Sequence, residues 1–396
     1  MTDALFVVRD GGGTAPAELR LARRLVAHGH RVRVAGPPGI APLASGLPFH
    51  PLADLAPTPL CAALLGRGTA SRGTASRGTA SRGTDGAPAG ARTPPSGGLL
   101  SGADIVVADC LLHGAPIAAT VAGLPSAALM PTVYLADRLA GSALAAQPHW
   151  ATVLTGINAA RRAVRLPAVD SVTDQILAVD RVLVLTSRAF ELPTVQPPPH
   201  VEYVGPQLGS ATGTGDWRPP RGDRPLVLAS LSTEEQDQLA LLRRLVAALE
   251  RLPVRGLVTV GPVVDPARLD PPDNVAVERF VPHAAVLDRA ELVITHAGHG
   301  TVLAALRAGV PLVCVPMGRD QYDVAARVSH HGAGIVLPAD ASVAALADGA
   351  RRVLTGPAYA RAARRLGTAI AAEDPDRAVA AIVATATTGS RIGADG

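Results

Sequence analysis

A chain of 396 residues, 48% apolar and only 18% charged, can bury more than one ordinary core, which excludes wholesale disorder and makes two domains the expectation. Its 37 basic residues are all Arg and leave a net charge of +4, yet they are scattered and aromatic content is only 3%. A base-stacking nucleic-acid surface is thereby excluded, and small phosphorylated ligands suit the balance better.

In chain order, residues 5–8 form a short apolar run, Gly11, Gly12 and Gly13 interrupt it, and residues 15–28 carry Leu19, Ala22, Leu25 and Val26 at helical spacing. A second strand-like run follows at residues 32–34. Strand, glycine turn, helix, strand is the opening unit of a parallel α/β sheet, where ligands bind beyond the carboxyl ends of the strands. No basic segment precedes the first apolar run and no stretch of about 18 apolar residues occurs, so a cytoplasmic protein without signal peptide or membrane span is expected. Cys61, Cys110 and Cys314 have neither disulfide-framework nor metal-ligand spacing.

Further strand-like runs lie at residues 105–108, 126–130 and 181–185. Between residues 66 and 101 a five-residue Arg-Gly-Thr-Ala-Ser repeat starts at Arg67, Arg72, Arg77 and, imperfectly, Arg82. Without apolar periodicity it reads as a flexible insertion in a first domain, residues 1–210. The Pro- and Gly-rich residues 211–224 read as a linker. A second series, residues 225–372, has strand runs at 226–229, 257–260, 292–295 and 312–315, with helical segments at 239–252, 301–308, 322–331 and 343–354. Residues 373–388 have a helical pattern expected to pack back on the first domain, and 389–396 are expected to form a disordered tail. Both halves are then doubly wound, and the cleft between them is the expected site.

The segment 280–337 carries the chemistry. A strand ends at Thr295, Gly298 and Gly300 let the backbone approach a ligand, and Thr301 opens a helix whose free N–H groups and positive dipole end favour a diphosphate. His296, at the turn, can donate to a phosphate oxygen. As a zinc pair, His296 and His299 lack a third ligand, so no metal is expected. Asp320 and Gln321 lie between a strand end and a helix, where carboxylate and amide can bond adjacent sugar hydroxyls or merely cap the helix. Ser230, Ser232 and Thr233 follow the first strand of the second half, either as ordinary loop hydroxyls or as phosphate contacts.

Phe280-Val281-Pro282-His283, Leu292-Val293-Ile294-Thr295-His296-Ala297-Gly298-His299-Gly300-Thr301, Ala308-Gly309-Val310-Pro311 and Gly318-Arg319-Asp320-Gln321 together resemble the signature region of the UDP-glycosyltransferase-like family. In wording and spacing they are most similar to bacterial members that glycosylate antibiotics and other natural products. The resemblance implies a GT-B fold, two Rossmann-like doubly wound parallel-sheet domains with an interdomain cleft. It also implies that Asp320 and Gln321 hold the donor sugar, that Phe280, Val281 and His283 meet the base, and that Ser230, Ser232, Thr233 and His296 meet the phosphates.

The acceptor half departs from that pattern. The family commonly places a catalytic His after the first strand, oriented by an Asp after a later one, but counting back from Gly29 and His30 puts Thr14 at the His position. Asp109 matches the orienting Asp. A replacement base could be Asp10, His113 or Asp137, each with an ordinary structural role as the alternative. The glycine run lacks the third glycine of a dinucleotide fingerprint, so no cofactor is expected.

The sequence therefore reads as an inverting, metal-independent hexosyl or deoxyhexosyl transferase. Its donor would be a UDP- or dTDP-sugar and its acceptor a hydrophobic small molecule of polyketide, macrolide or antibiotic type. A homodimer is compatible with this reading, whereas nucleic acid is not a partner. The alternative is a non-catalytic GT-B auxiliary that binds a donor or assists another glycosyltransferase, motivated by Thr14.

Overall fold

The structure, a computed structural model, describes residues 1–67, 98–134, 149–209, 217 and 222–392. Most of the repeat, Asp137 and residues 393–396 lie outside these. The first half comprises β1 (Asp3–Val7), α1 (Ala15–Ala27), β2 (Arg31–Gly36), β3 (Phe49–Pro51), α2 (Pro57–Leu64), β4 (Ile105–Asp109), α3 (Gly114–Ala122), β5 (Ser126–Met130), α4 (His149–Ala163), α5 (Val172–Leu177), β6 (Arg181–Val184) and β7 (Val201–Tyr203). Its seven strands are ordered β3-β2-β1-β4-β5-β6-β7, and every pair is parallel.

The second half comprises β8 (Leu226–Ser230), α6 (Leu239–Glu250), β9 (Arg255–Thr259), β10 (Val275–Glu278), α7 (His283–Leu287), β11 (Ala290–Thr295), α8 (His299–Arg307), β12 (Leu312–Cys314), α9 (Gln321–His330), β13 (Gly334–Val336), α10 (Val343–Thr355), α11 (Pro357–Ala371) and α12 (Arg377–Ile392). Its six strands are ordered β10-β9-β8-β11-β12-β13, again all parallel.

The central strands are continuous apolar runs because helices cover both faces of each sheet. Ala4, Leu5, Phe6, Val7 and Val8 are wholly buried, as are Leu226, Val227, Leu228 and Ala229. Alternate residues feed different cores: Leu5 and Val7 join Leu60, Leu64 and Val106 on one face, while Ala4, Phe6 and Val8 join Leu19, Leu21 and Leu25 of α1 on the other. Fully burying one such Leu is worth about 1.5–3 kcal/mol.

Strand order reverses between β1 and β4 in the first sheet and between β8 and β11 in the second, and such switch points are where parallel sheets open a crevice. Val7 lies opposite Ala108, and Ser230 lies opposite both Thr259 and Thr295, so the residues that follow these strands converge at the strand ends. The last helix packs on the first half, where Ala378, Val379, Ala381, Ile382 and Ala386 join the cluster of Phe6 and Leu19. It runs from Arg377 to Ile392, so residues 389–392, expected in a tail, are helical, while 373–376 precede the helix. Residues 389–392 are Gly-Ser-Arg-Ile, too little apolar periodicity to reveal the extra turn. No described helix is long and apolar enough to cross a membrane.

Candidate active site

A cleft of about 1030 Å³ runs between the two sheets. Its second-half wall begins where β11 ends at Thr295. Ala297 turns the chain with φ +66°, Gly298 caps α8, and the helix starts at His299, two residues earlier than the sequence indicated. The first intrahelical bond runs from Val302 N–H to the Gly298 carbonyl, leaving the N–H groups of residues 299–301 to point along the helix axis. A Cβ at Gly298 would stand 2.7 Å from the His296 ring, whereas nothing lies within 4 Å of a Cβ at Gly300. Gly298 thus makes room for the imidazole, and Gly300 leaves the helix terminus open. Burial holds the His296 ring down at about 4, with Arg319 and His283 adding to the effect and a hydrogen bond to the Ser230 backbone opposing it. At neutral pH His296 is a neutral imidazole with a single N–H.

His299 points elsewhere. Its Nε2 bonds the Thr186 hydroxyl of the first half at 2.9 Å, and burial, helped by Arg327, pushes its ring down to about 3. It contributes its backbone N–H to the helix terminus while its side chain ties the halves together.

Ser230 lies in a polar chain. Thr259 Oγ1 donates to its hydroxyl at 2.8 Å, and His283 Nε2, in a ring whose pKa burial lowers, lies 3.2 Å from the same oxygen. Ser232 organises its own loop, its Oγ accepting from Glu234 N–H at 3.0 Å and Gln236 Nε2 at 2.7 Å. Thr233 lines the cleft where the glycine loop of the first half approaches: a Cβ on Gly12, at φ +57°, would meet Thr233 Oγ1 at 3.1 Å and Glu234 Oε1 at 2.8 Å. Phe280 is 73% exposed at the rim beside buried Val281, a large apolar ring left uncovered by the protein.

Asp320 and Gln321 both line the cleft but are differently occupied. The Asp320 carboxyl accepts a short hydrogen bond from Thr132 of the first half, and desolvation raises its pKa against that bond. The Gln321 amide is committed to its loop, its Oε1 accepting from Met317 and Gly318 N–H at 2.8 and 3.2 Å and its Nε2 donating to Gln236 at 2.9 Å. Gln321 shapes the turn that presents Asp320. Sequence reasoning missed Arg319, at φ +56° just before Asp320 and ion-paired to Glu234, as well as Thr132 and Arg307, all on the cleft wall.

On the first-half wall, Asp10 follows β1, is exposed to the cleft, and makes no hydrogen bond or ion pair among the described residues. Thr14, at the N-cap of α1, turns its hydroxyl back to the Gly11 carbonyl at 3.2 Å. Asp109 ends β4 and is 2% exposed. It accepts from Arg9 Nε at 2.9 Å and from Leu111 N–H at 2.8 Å. His113 is not on this wall: it lies at the start of α3, 3% exposed, with its Nδ1 unpartnered and its ring held at about 4 by burial. As a proposed base it is corrected by its position, because the Asp109 loop turns it inward. Asp137 lies outside the described residues. Among the described residues no group of three or more His, Cys, Asp or Glu side chains could hold a metal ion.

Two parallel-sheet domains with helix termini and polar side chains converging on one cleft define a GT-B fold. Residues 246–385, in the second half, match the model of the Erythromycin biosynthesis protein CIII-like C-terminal domain. The chain is 36% identical over 203 residues to 4'-demethylrebeccamycin synthase of Lentzea aerocolonigenes, covering 49% of this chain and 47% of that protein. It is 34% identical over 184 residues to oleandomycin glycosyltransferase of Streptomyces antibioticus, covering 46% and 43%. The matches thus span about half the length of these curated relatives. Among solved structures, the kitacinnamycin glycotransferase aligns over 97% of this chain and 98% of its own with a TM-score of 0.75 at 24% identity. The glycosyltransferase VinC, solved with dTDP, aligns over 98% and 100% with a TM-score of 0.70 at 21% identity.

Proposed function

We propose that the protein is a glycosyltransferase that moves a sugar, with inversion at its anomeric carbon, from a UDP- or dTDP-linked donor to a hydrophobic natural product. The observation that carries this is the cleft, with the open α8 terminus on one wall and, on the other, Asp10, which has no hydrogen bond or ion pair among the described residues. The N–H groups of residues 299–301 and neutral His296 receive the diphosphate, Phe280 offers a stacking face to the base, and Asp320 accepts from a sugar hydroxyl in place of Thr132. Met130, Trp150, Ile176, Leu185 and Leu208 give the acceptor half its apolar lining.

In this reaction the acceptor hydroxyl loses its proton to the Asp10 carboxylate as its oxygen bonds the anomeric carbon. The bond from that carbon to the phosphate oxygen breaks, and the electron pair leaves with the nucleoside diphosphate. The negative charge growing on that leaving group is met by donors already fixed around it, with no metal ion called upon. Asp10 supplies the group whose absence at Thr14 motivates a non-catalytic reading. The relatives' names, antibiotic-pathway glycosyltransferases, support the acceptor class.

The test incubates dTDP- and UDP-glucose with a panel of macrolide and aromatic acceptors and reads products heavier by one glycosyl unit. Asp10→Asn is expected to lower kcat by about 100 to 10,000-fold while leaving nucleotide affinity unchanged. Full activity in that variant would remove Asp10 from the mechanism.

A further inference from the structure

Beneath the glycine loop lies a second carboxyl group that the transfer step does not use. Glu18, on the first turns of α1, is wholly buried, and among the described residues neither of its oxygens meets a hydrogen-bond donor. The like charge acting on it is the Asp109 carboxylate, itself held by Arg9 Nε at 2.9 Å. The Arg9 guanidinium lies under Gly11, where a Cβ would come within 2.9 Å of Cζ and 3.0 Å of Nη1. Glu18, Asp109, Arg9 and the loop from Asp10 to Thr14 are therefore stacked in that order.

Two acceptor-only carboxylates cannot bond each other, and one guanidinium cannot neutralise both out of water. One proton resolves the conflict. We propose that Glu18 is a carboxylic acid whose O–H donates to Asp109, and that this acid, carboxylate and guanidinium stack is the positioning device for the loop that carries Asp10. The catalytic consequence rests on Asp10 being the proton acceptor, but the protonation does not.

The charged and titratable groups facing Glu18 are Asp109 and Cys110 from the end of β4 and Arg9 from the end of β1. The packed helix α12 meets α1 through apolar residues, its acidic neighbour Asp376 pairing with Arg24 and His28 further along. Burial first, then Asp109, raises the Glu18 pKa well above the ordinary carboxyl value, against the pull of Arg9. An acid with a raised folded pKa contributes stability that is fully present below the unfolded value, and loses it as pH rises toward the folded one.

The test compares thermal unfolding of the full chain and its Glu18→Gln variant from pH 5 to pH 8.5, with hydrogen exchange of residues 9–15 in both and in Glu18→Ala. Glutamine is isosteric and donates an N–H to Asp109 without an ionisable proton. The expected result is a Tm advantage for Glu18→Gln that widens as pH rises, with loop exchange accelerated in Glu18→Ala and restored in Glu18→Gln. A constant Tm difference across the range, or a Glu18→Gln chain that does not fold, overturns the protonation. Equal loop exchange in all three overturns the positioning role. Neither readout involves sugar transfer, so a failure of the glycosyltransferase reading is seen separately, in nucleotide binding.

Discussion

At Gly298 the missing side chain and the His296 imidazole occupy one space. A methyl group there would stand 2.7 Å from ring atoms Cε1 and Nε2, so Gly298→Ala must displace the ring. Overpacking of this kind costs about 1–3 kcal/mol. Because the strain falls on a ligand-facing group, dTDP affinity is expected to fall by about tenfold or more, at roughly 1.4 kcal/mol per decade, and calorimetric titration checks this. An unchanged affinity would show that His296 makes no contact with the nucleotide. This part of the site was legible because its residues are consecutive: strand end, histidine, glycines and helix start are written in one stretch. The stack of Arg9, Glu18 and Asp109 was not. Its members come from three segments, and a glutamate on the first turn of a helix ordinarily reads as a solvated partner of the helix dipole. Ser232 and Gln321, singled out from the sequence, line the cleft, yet their commitment to Gln236 depends on a loop fold that local sequence does not encode.

Among the elements, α9 carries a buried ion pair across the halves. Arg327 is wholly buried and donates through Nε to Glu191 Oε1 at 2.6 Å, while Tyr203 donates to Glu191 Oε2 at 2.9 Å. Removing one member leaves an uncompensated charge in the interior. Arg327→Met is expected to cost about 3–5 kcal/mol in urea unfolding, and adding Glu191→Gln to recover much of it. A loss below about 1 kcal/mol would mean that water reaches Glu191. The pair was not legible, since an Arg and a Glu 136 residues apart give no spacing signal. The longer apolar runs and amphipathic helices were read directly, because period and length agree. β3, β7 and β13 escaped notice: each has three residues, too few to establish alternation. β10 is half-exposed and lies at a sheet edge, where composition is less constrained.

For the whole molecule, the two-sheet architecture was legible because both halves repeat the same strand and helix alternation about a glycine-rich turn. How the halves meet was not. Besides the Arg327–Glu191 pair and the apolar packing of α12, the contacts between them include three single polar bonds: Thr132 to Asp320, Thr186 to His299, and Ser187 to Glu373 at 2.6 Å. Two of the three involve residues singled out for ligand binding. A donor sugar bonded to Asp320 Oδ2 would compete with the Thr132 hydroxyl, which would couple donor binding to the meeting of the halves through one carboxyl group.

If the α8 terminus and His296 form a nucleoside diphosphate site, calorimetric titration with dTDP and with UDP detects it without any acceptor. Micromolar binding of at least one nucleotide, weakened in His296→Ala without a change in fold, is the predicted result. Binding of neither nucleotide to the folded chain would contradict it.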